Sequence, residues 1–190
     1  DSPGPVRLLK STIGTKRSCS FGRGSRKTIS TDTGLDSPGP VYTPILLDAI
    51  GRDPKKGAKA AKSLRKQGGN VKFLKTNLAN LADCTNLISK SIELFPNLNS
   101  LVNSAAVTTR GTLEDTSLKL WEEHINTNLR APFLLMQGLV QKLKADTSPG
   151  GIVNIASTSS YVGQSFLTAY STSKGGLLTL SKNAAHSLRH

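Results

Sequence analysis

The spacing of apolar residues along the chain changes character near residue 43. Beyond it, short apolar runs alternate with longer stretches of helical spacing. The short runs predict four buried strands, at residues 45–50, 71–74, 98–102 and 151–156. The longer stretches predict helices at residues 54–64, 81–94, 117–144 (with an interruption near Pro132) and 169–188. Strands that alternate with helices of about ten or more residues indicate a doubly wound parallel α/β sheet with helices on both faces.

Residues 1–43 show no lasting periodicity and are rich in Ser, Thr, Gly, Pro, Lys and Arg. The hexapeptide DSPGPV occurs at residue 1 and again at residue 36, on either side of the basic strip SCSFGRGSR at residues 18–26. Proline fixes φ and lacks an N–H, so Pro-Gly-Pro disfavours both a helix and the hydrogen bonding of a β-strand. We therefore predict two parts: a largely irregular Pro/Gly/Ser-rich basic segment over 1–43 and an α/β domain over 44–190.

The net charge of +13 attracts anionic partners over a long range, whether nucleic acid, acidic protein surfaces or phosphorylated cofactors. Charge alone does not choose among them. The basic residues of the first predicted helix are typical of a solvated face, so nucleic acid is not the predicted partner. No apolar run approaches the roughly 20 residues of a membrane span, and a membrane protein is not predicted.

Two cysteines are too few for a disulfide framework, which predicts a reducing, cytoplasmic location. Cys84 falls in a helical pattern and is predicted to be a small core residue. The three histidines, which include His124, show no metal-ligand spacing. We therefore predict no metal site and expect the histidines to be surface or interhelical polar residues.

Tyr170 and Lys174 lie four residues apart in the last predicted helix and share one face. An ammonium one turn from a phenol favours the phenolate, which suits proton transfer at a carbonyl oxygen. Ser157 follows the strand 151–156, and Asn128 lies in a helix that would cross nearby. Each of these residues also has a non-catalytic explanation. A Tyr-xxx-Lys pair can arise by chance, Ser157 lies in a Ser/Thr-rich loop, and Asn128 could be an exposed polar residue of a helix. Together and in this order they favour a catalytic constellation.

With these motifs, residues 44–190 resemble the short-chain dehydrogenase/reductase family, in the subgroup of 3-oxoacyl-carrier-protein reductases and sugar or alcohol dehydrogenases. The resemblance implies a Rossmann-like fold and hydride transfer between NAD(P) and a small-molecule carbonyl or secondary alcohol. It implies Tyr170 as general acid/base and Ser157 as the residue that orients the substrate oxygen. Lys174 would assist Tyr170 and hold the nicotinamide ribose together with it, and Asn128 would hold a water in the proton relay.

The family's Asn-Asn-Ala-Gly turn is matched in part by the sequence NSAA that starts at Asn103. The resemblance therefore implies Asn103 and Ala105 as cofactor contacts, whereas Ala106 adds a methyl where backbone should approach the cofactor closely. Asn77 stands where the family has an adenine-binding Asp. Arg52 follows the second family strand, where an Arg faces a 2′-phosphate, so NADP is favoured over NAD.

The family's first strand and its glycine-rich pyrophosphate turn are not matched. Gly22 and Gly24 agree with the last two glycines of that turn, but Ser18 stands at the first, and Pro38 and Pro40 oppose the helix that should follow. We expect a domain truncated at both ends, which lacks this turn and the family's last strands. We also expect weak NADP(H) binding and slow turnover or none, because the pyrophosphate contacts would be missing.

Residues 1–43 resemble the SHIPPO-type (sperm-tail PG-rich) repeats of ciliary and microtubule-associated proteins, or else a generic low-complexity linker. Three hypotheses stay open. The chain is an oxidoreductase, with a homo-oligomer as one expected assembly. It is a non-enzymatic microtubule- or cilium-associated protein, with residues 1–43 on the acidic surface of tubulin. It is a fused gene model that contains an inactive dehydrogenase fragment.

Overall fold

The structure, a computed structural model, describes residues 54–66 and 69–188. The predicted segment 1–43, the predicted strand 45–50 and Arg52 lie outside the described residues. The described helices are α1 (Pro54–Arg65), α2 (Leu81–Leu94), α3 (Leu118–Ile125), α4 (Ala131–Ala145) and α5 (Thr168–Ser187). The described strands are β1 (Ser100–Asn103) and β2 (Gly151–Asn154). Within these ranges no helix is both long enough and apolar enough to cross a membrane.

The two strands form a parallel sheet, in register from Ser100 opposite Gly151 to Asn103 opposite Asn154. Alternation along the strands turns Leu101 and Ile152 to the same face. That face packs against α4, where a core cluster joins Ile152 to apolar side chains of the helix, with Leu101 and residues of α5 around it. A parallel sheet with crossover helices confirms the predicted α/β class.

The predicted strand at residues 71–74 is wrong, because this segment has no regular secondary structure and no ladder with β1 or β2. Its apolar residues are nevertheless used in packing. Val71 is buried, and its carbonyl accepts a hydrogen bond of 2.8 Å from Arg65 Nε at the end of α1. The ring of Phe73 lies where a Cβ on Gly57 of α1 would stand. Leu74 packs against buried side chains of α2 and α4. A strand requires a neighbouring backbone that completes its ladder, and the described strands β1 and β2 do not pair with this segment.

The helix predicted over residues 117–144 changes register before Pro132 instead of breaking at it. A π turn, Asn126–Arg130, joins α3 to α4, and the Ala131 N–H donates to the Asn126 carbonyl five residues back. Pro132 has no N–H, so an α register would leave the Asn128 carbonyl without its donor. The wider π turn accommodates this missing donor while the backbone at Ala131 stays helical, at φ −60° and ψ −52°.

Cys84 is buried in the core, as predicted. Its Sγ donates to the Leu78 carbonyl at 3.2 Å, and both residues belong to a cluster of buried side chains between α2 and the start of α4. This packing fixes the π turn, which leads directly into α4, against α2.

Candidate functional site

Lys174 reaches from α5 to the point where β2 ends. Its Nζ donates to the Ile155 carbonyl at 2.7 Å, and the residue is only 2% exposed. Burial lowers the pKa of Lys174, because desolvation penalises the charged form. An ammonium carries three donors and Ile155 takes one, so two N–H groups remain at the carboxyl end of the sheet.

Ser157 stands two residues after Ile155 and begins a short 3₁₀ turn, Thr158–Ser160. Its Oγ accepts from the Ser159 N–H at 3.2 Å and from the Ser159 hydroxyl at 2.9 Å. The proton of the Ser157 hydroxyl stays available for a further acceptor. The turn packs on α5 beside Lys174, since the Ser160 carbonyl lies 3.8 Å from the place of a Cβ on Gly175.

Tyr170 lies in the first turn of α5, and its ring meets the imidazole of His124 in a T-shaped contact. The ring centroids are 6.5 Å apart and the planes are inclined by 81°. His124 is fully buried, with Nδ1 2.9 Å from the Leu120 carbonyl and Nε2 without a hydrogen-bond partner among the described residues. The histidine is thus interhelical, between α3 and α5. Sequence reasoning did not connect it with Tyr170, because the two residues meet only through helix packing.

Asn128 is fully buried in the π turn and joins two parts of the site. Its Oδ1 accepts from the Val107 N–H at 2.8 Å, while its Nδ2 donates to the Val107 carbonyl at 2.9 Å and to Ser173 Oγ at 3.0 Å. The side chain therefore ties the loop after β1 to α5. Both of its N–H groups are engaged, so a water held by Asn128 would have to donate to one of its oxygens.

Asn103 is the last residue of β1 and Ala105 lies in the loop after it, and the Asn103 side chain faces the interior. Its Nδ2 donates to Asn154 Oδ1 at 2.8 Å, and Asn154 Nδ2 donates to Ser181 Oγ at 2.8 Å. Ala105 packs against the core cluster between α2 and α4.

Asn77 lines a separate cavity of about 300 Å³, together with Lys75, Thr76 and Asp83. Its N–H donates to Asp83 Oδ2 at 2.9 Å, which holds the loop against the start of α2. Arg130 links this loop to the π turn, because its Nη2 donates to the Ala79 carbonyl at 2.7 Å. Sequence reasoning missed Arg130, since no local pattern pairs it with a residue 51 positions away.

Comparison with known proteins identifies relatives of this chain. The family model described as short chain dehydrogenase matches residues 45–190. An uncharacterized oxidoreductase from Thermotoga maritima is 32% identical over 136 residues, which cover 72% of this chain and 53% of that protein. The NADP-dependent (R)-specific alcohol dehydrogenase from Lentilactobacillus kefiri is 31% identical over 137 residues, which cover 71% of this chain and 53% of that enzyme.

Among solved structures, that of a metagenomic short-chain oxidoreductase in complex with NADP is similar to this chain with a TM-score of 0.69 and 27% identity. The match covers 74% of this chain and 63% of that structure. The chain spans about half the length of the curated relatives it matches. The family match over residues 45–190 contains β1, β2 and α5.

Proposed function

Because the chain belongs to the short-chain dehydrogenase family, we propose that it serves NAD(P)-dependent hydride transfer to a carbonyl, or from a secondary alcohol, of a small molecule. The hydrogen bond from Lys174 to the Ile155 carbonyl carries this proposal. It joins the helix that bears Tyr170 to the chain segment that leads into Ser157. Ligands of open parallel sheets bind at this edge, outside the carboxyl ends of the strands.

In the proposed reaction the Tyr170 phenol donates a proton to the carbonyl oxygen during reduction and recovers it during oxidation. The Ser157 hydroxyl accepts its two bonds from Ser159 and donates its own proton to the substrate oxygen, which orients the carbonyl. Lys174 stands one turn after Tyr170 in α5, and we assign it the role of assisting Tyr170. Asn128 holds α5 against the loop after β1 and so fixes the helix that carries Tyr170.

The residues present fit a dinucleotide in two respects. The cavity beside Asn77 offers amide and carboxylate groups within about 300 Å³, and the two remaining N–H groups of Lys174 suit ribose hydroxyls. Asn103 and Ala105, at the end of β1 and in the loop after it, are proposed as further cofactor contacts. When bound, the nicotinamide supplies or accepts the hydride.

We propose NADP in preference to NAD as the cofactor. The Lentilactobacillus kefiri relative is named as NADP-dependent, and the similar metagenomic oxidoreductase was solved in complex with NADP. Arg52, at the predicted position for a 2′-phosphate, supports the same choice. A homo-oligomer, a cytoplasmic location and microtubule contact through residues 1–43 stay predictions.

The test is NADPH oxidation by the purified 190-residue chain with simple ketones, compared with its Tyr170→Phe variant. We expect kcat/KM to fall by about 10² to 10⁴, because the proton donor is removed. Comparison by kcat/KM does not require saturation and so tolerates the weak NADP(H) binding expected from the sequence. Tyr161→Phe is the matched control and should keep the wild-type value, since Tyr161 is exposed at the end of the 3₁₀ turn. Equal values for the wild type and Tyr170→Phe, or no turnover with any ketone, would contradict the proposal.

A further inference from the structure

Two loops meet beside the first turn of α5, one after β1 and one after β2. The Gly111 N–H donates to the Phe166 carbonyl at 3.1 Å, and the Thr168 N–H donates to the Gly111 carbonyl at 3.1 Å. Gly111 is also enclosed, since a Cβ there would lie 2.5 Å from Thr116 Oγ1. Thr168 is the first residue of α5, two positions before Tyr170. The loop that carries Arg110 is therefore held against the helix of the proposed proton donor.

The guanidinium of Arg110 stacks on Phe166, with Cζ 4.8 Å from the ring centroid. A stacked guanidinium presents its face to the ring and leaves the N–H groups along its edge free to bind. Within residues 54–66 and 69–188, Arg110 forms no ion pair. The neighbouring carboxylate of Asp115 is engaged by the Thr112 N–H at 2.5 Å. The structure thus holds an oriented guanidinium whose hydrogen-bonding edge has no acidic partner among the described residues.

Phe166, the ring on which this guanidinium stacks, is 42% exposed and lies in the segment between Ser157 and Tyr170, so the stacked pair is open to a ligand. The ring shields one face of the guanidinium from water, which favours an ion pair formed along its edge. The planar fork of an arginine matches the two oxygens of a carboxylate.

We propose that Arg110, oriented by Phe166, forms an anion subsite that selects carbonyl or alcohol substrates bearing a carboxylate. This inference rests on the proposed function, because it assigns the substrate class of the same site. The reacting carbonyl would lie at Tyr170 and Ser157, with the carboxylate towards the loop after β1. Arg110 is a specificity residue and takes no part in proton transfer.

The test compares two ketones that differ only in the charged group, 4-oxocyclohexanecarboxylate and cyclohexanone. The measured quantity is the ratio of their kcat/KM values with NADPH. We expect Arg110→Gln to lower this ratio about tenfold or more, as the loss of a charge-assisted bidentate bond requires. Arg110→Lys should retain part of the ratio, because it keeps the charge and loses the fork. Lys182→Gln removes an exposed cation towards the far end of α5 and should leave the ratio unchanged.

A binding measurement separates failure of the subsite from failure of the proposed function. The dissociation constants of cyclohexanecarboxylate and cyclohexanol are measured by ligand-observed NMR without cofactor, for the wild type and Arg110→Gln. If Arg110→Gln weakens the binding of cyclohexanecarboxylate and leaves that of cyclohexanol unchanged, the subsite is supported even when neither ketone is reduced. Absence of reduction together with this result would overturn the proposed function alone. Reduction of both ketones with a ratio that Arg110→Gln does not change would overturn the subsite alone. Tighter binding of cyclohexyl phosphate than of the carboxylate would overturn the assignment to carboxylates.

Discussion

Replacement of Asn128 by Ala is expected to destabilise the domain more than any other single amide truncation in the π turn. The Asn128 side chain is fully buried and makes three hydrogen bonds, two with the Val107 backbone and one with Ser173. Truncation removes all three and leaves the Val107 N–H and carbonyl without these partners. Because the bonds join the loop after β1 to α5, the loss should also loosen the helix that carries Tyr170.

The magnitude follows from the three contacts. Each hydrogen bond contributes a net value of about 1 kcal/mol, and a buried group left unpaired costs about 1–3 kcal/mol. Val107 is half-buried, so water recovers part of this cost. We therefore expect the free energy of unfolding to fall by about 3–5 kcal/mol, a large part of the roughly 5–15 kcal/mol typical of a domain.

The assay is urea unfolding followed by circular dichroism, with the free energy of unfolding taken from linear extrapolation. Asn126→Ala is the matched control, because Asn126 lies in the same π turn, is partly exposed and serves the helix through its backbone groups. That variant should change the free energy of unfolding by about 0.5 kcal/mol or less. If the two variants lose similar amounts, the role assigned to the Asn128 amide is refuted.

Two further predictions concern stability. Because burial lowers the pKa of Lys174, the unfolded chain binds one more proton between that lowered value and the ordinary lysine value of 10.5, so stability should rise with pH through this window. The urea midpoint should rise less with pH in Lys174→Met than in the wild type. An equal rise in both proteins would contradict the assignment of this pH dependence to Lys174. In Gly150→Ala the new Cβ would collide with Leu143 Cδ1 and lie 2.5 Å from the Asn99 carbonyl, so we expect a loss of about 1–3 kcal/mol and a lower Tm. Gly163→Ala, whose Cβ would meet nothing within 4 Å, should leave the Tm nearly unchanged, and a similar fall in both variants would refute the packing argument.

Much of the fold could be predicted from local pattern, because the signals lie within a few residues of the structure they specify. The apolar run at 151–156 becomes β2, and helical spacing at 81–94 becomes α2. Asn80 caps α2 by accepting from the Asp83 N–H, and Ser117 caps α3 in the same way. Pairs at i, i+4 such as Tyr170 and Lys174 are equally local, since one turn of helix sets their common face.

The structure corrected the prediction where the partner lies far away in sequence. The apolar residues at 71–74 indicate burial, but whether burial occurs in a sheet or against a helix depends on which backbone lies alongside. The Asn103 side chain bonds to Asn154, 51 residues later, and no local pattern pairs these two residues. The type of a residue determines which donors and acceptors its side chain carries, and only packing determines which partner the side chain contacts.

The amino-acid sequence by itself determined the order of the elements, the family resemblance and the chemical groups available to the site. Only the tertiary structure decided that His124 packs on Tyr170, that Asn128 joins the loop after β1 to α5, and that Arg110 stacks on Phe166. These contacts span tens of residues and depend on how helices and loops pack on the sheet. Periodicity and capping act over one or two turns of chain, so they cannot specify such contacts.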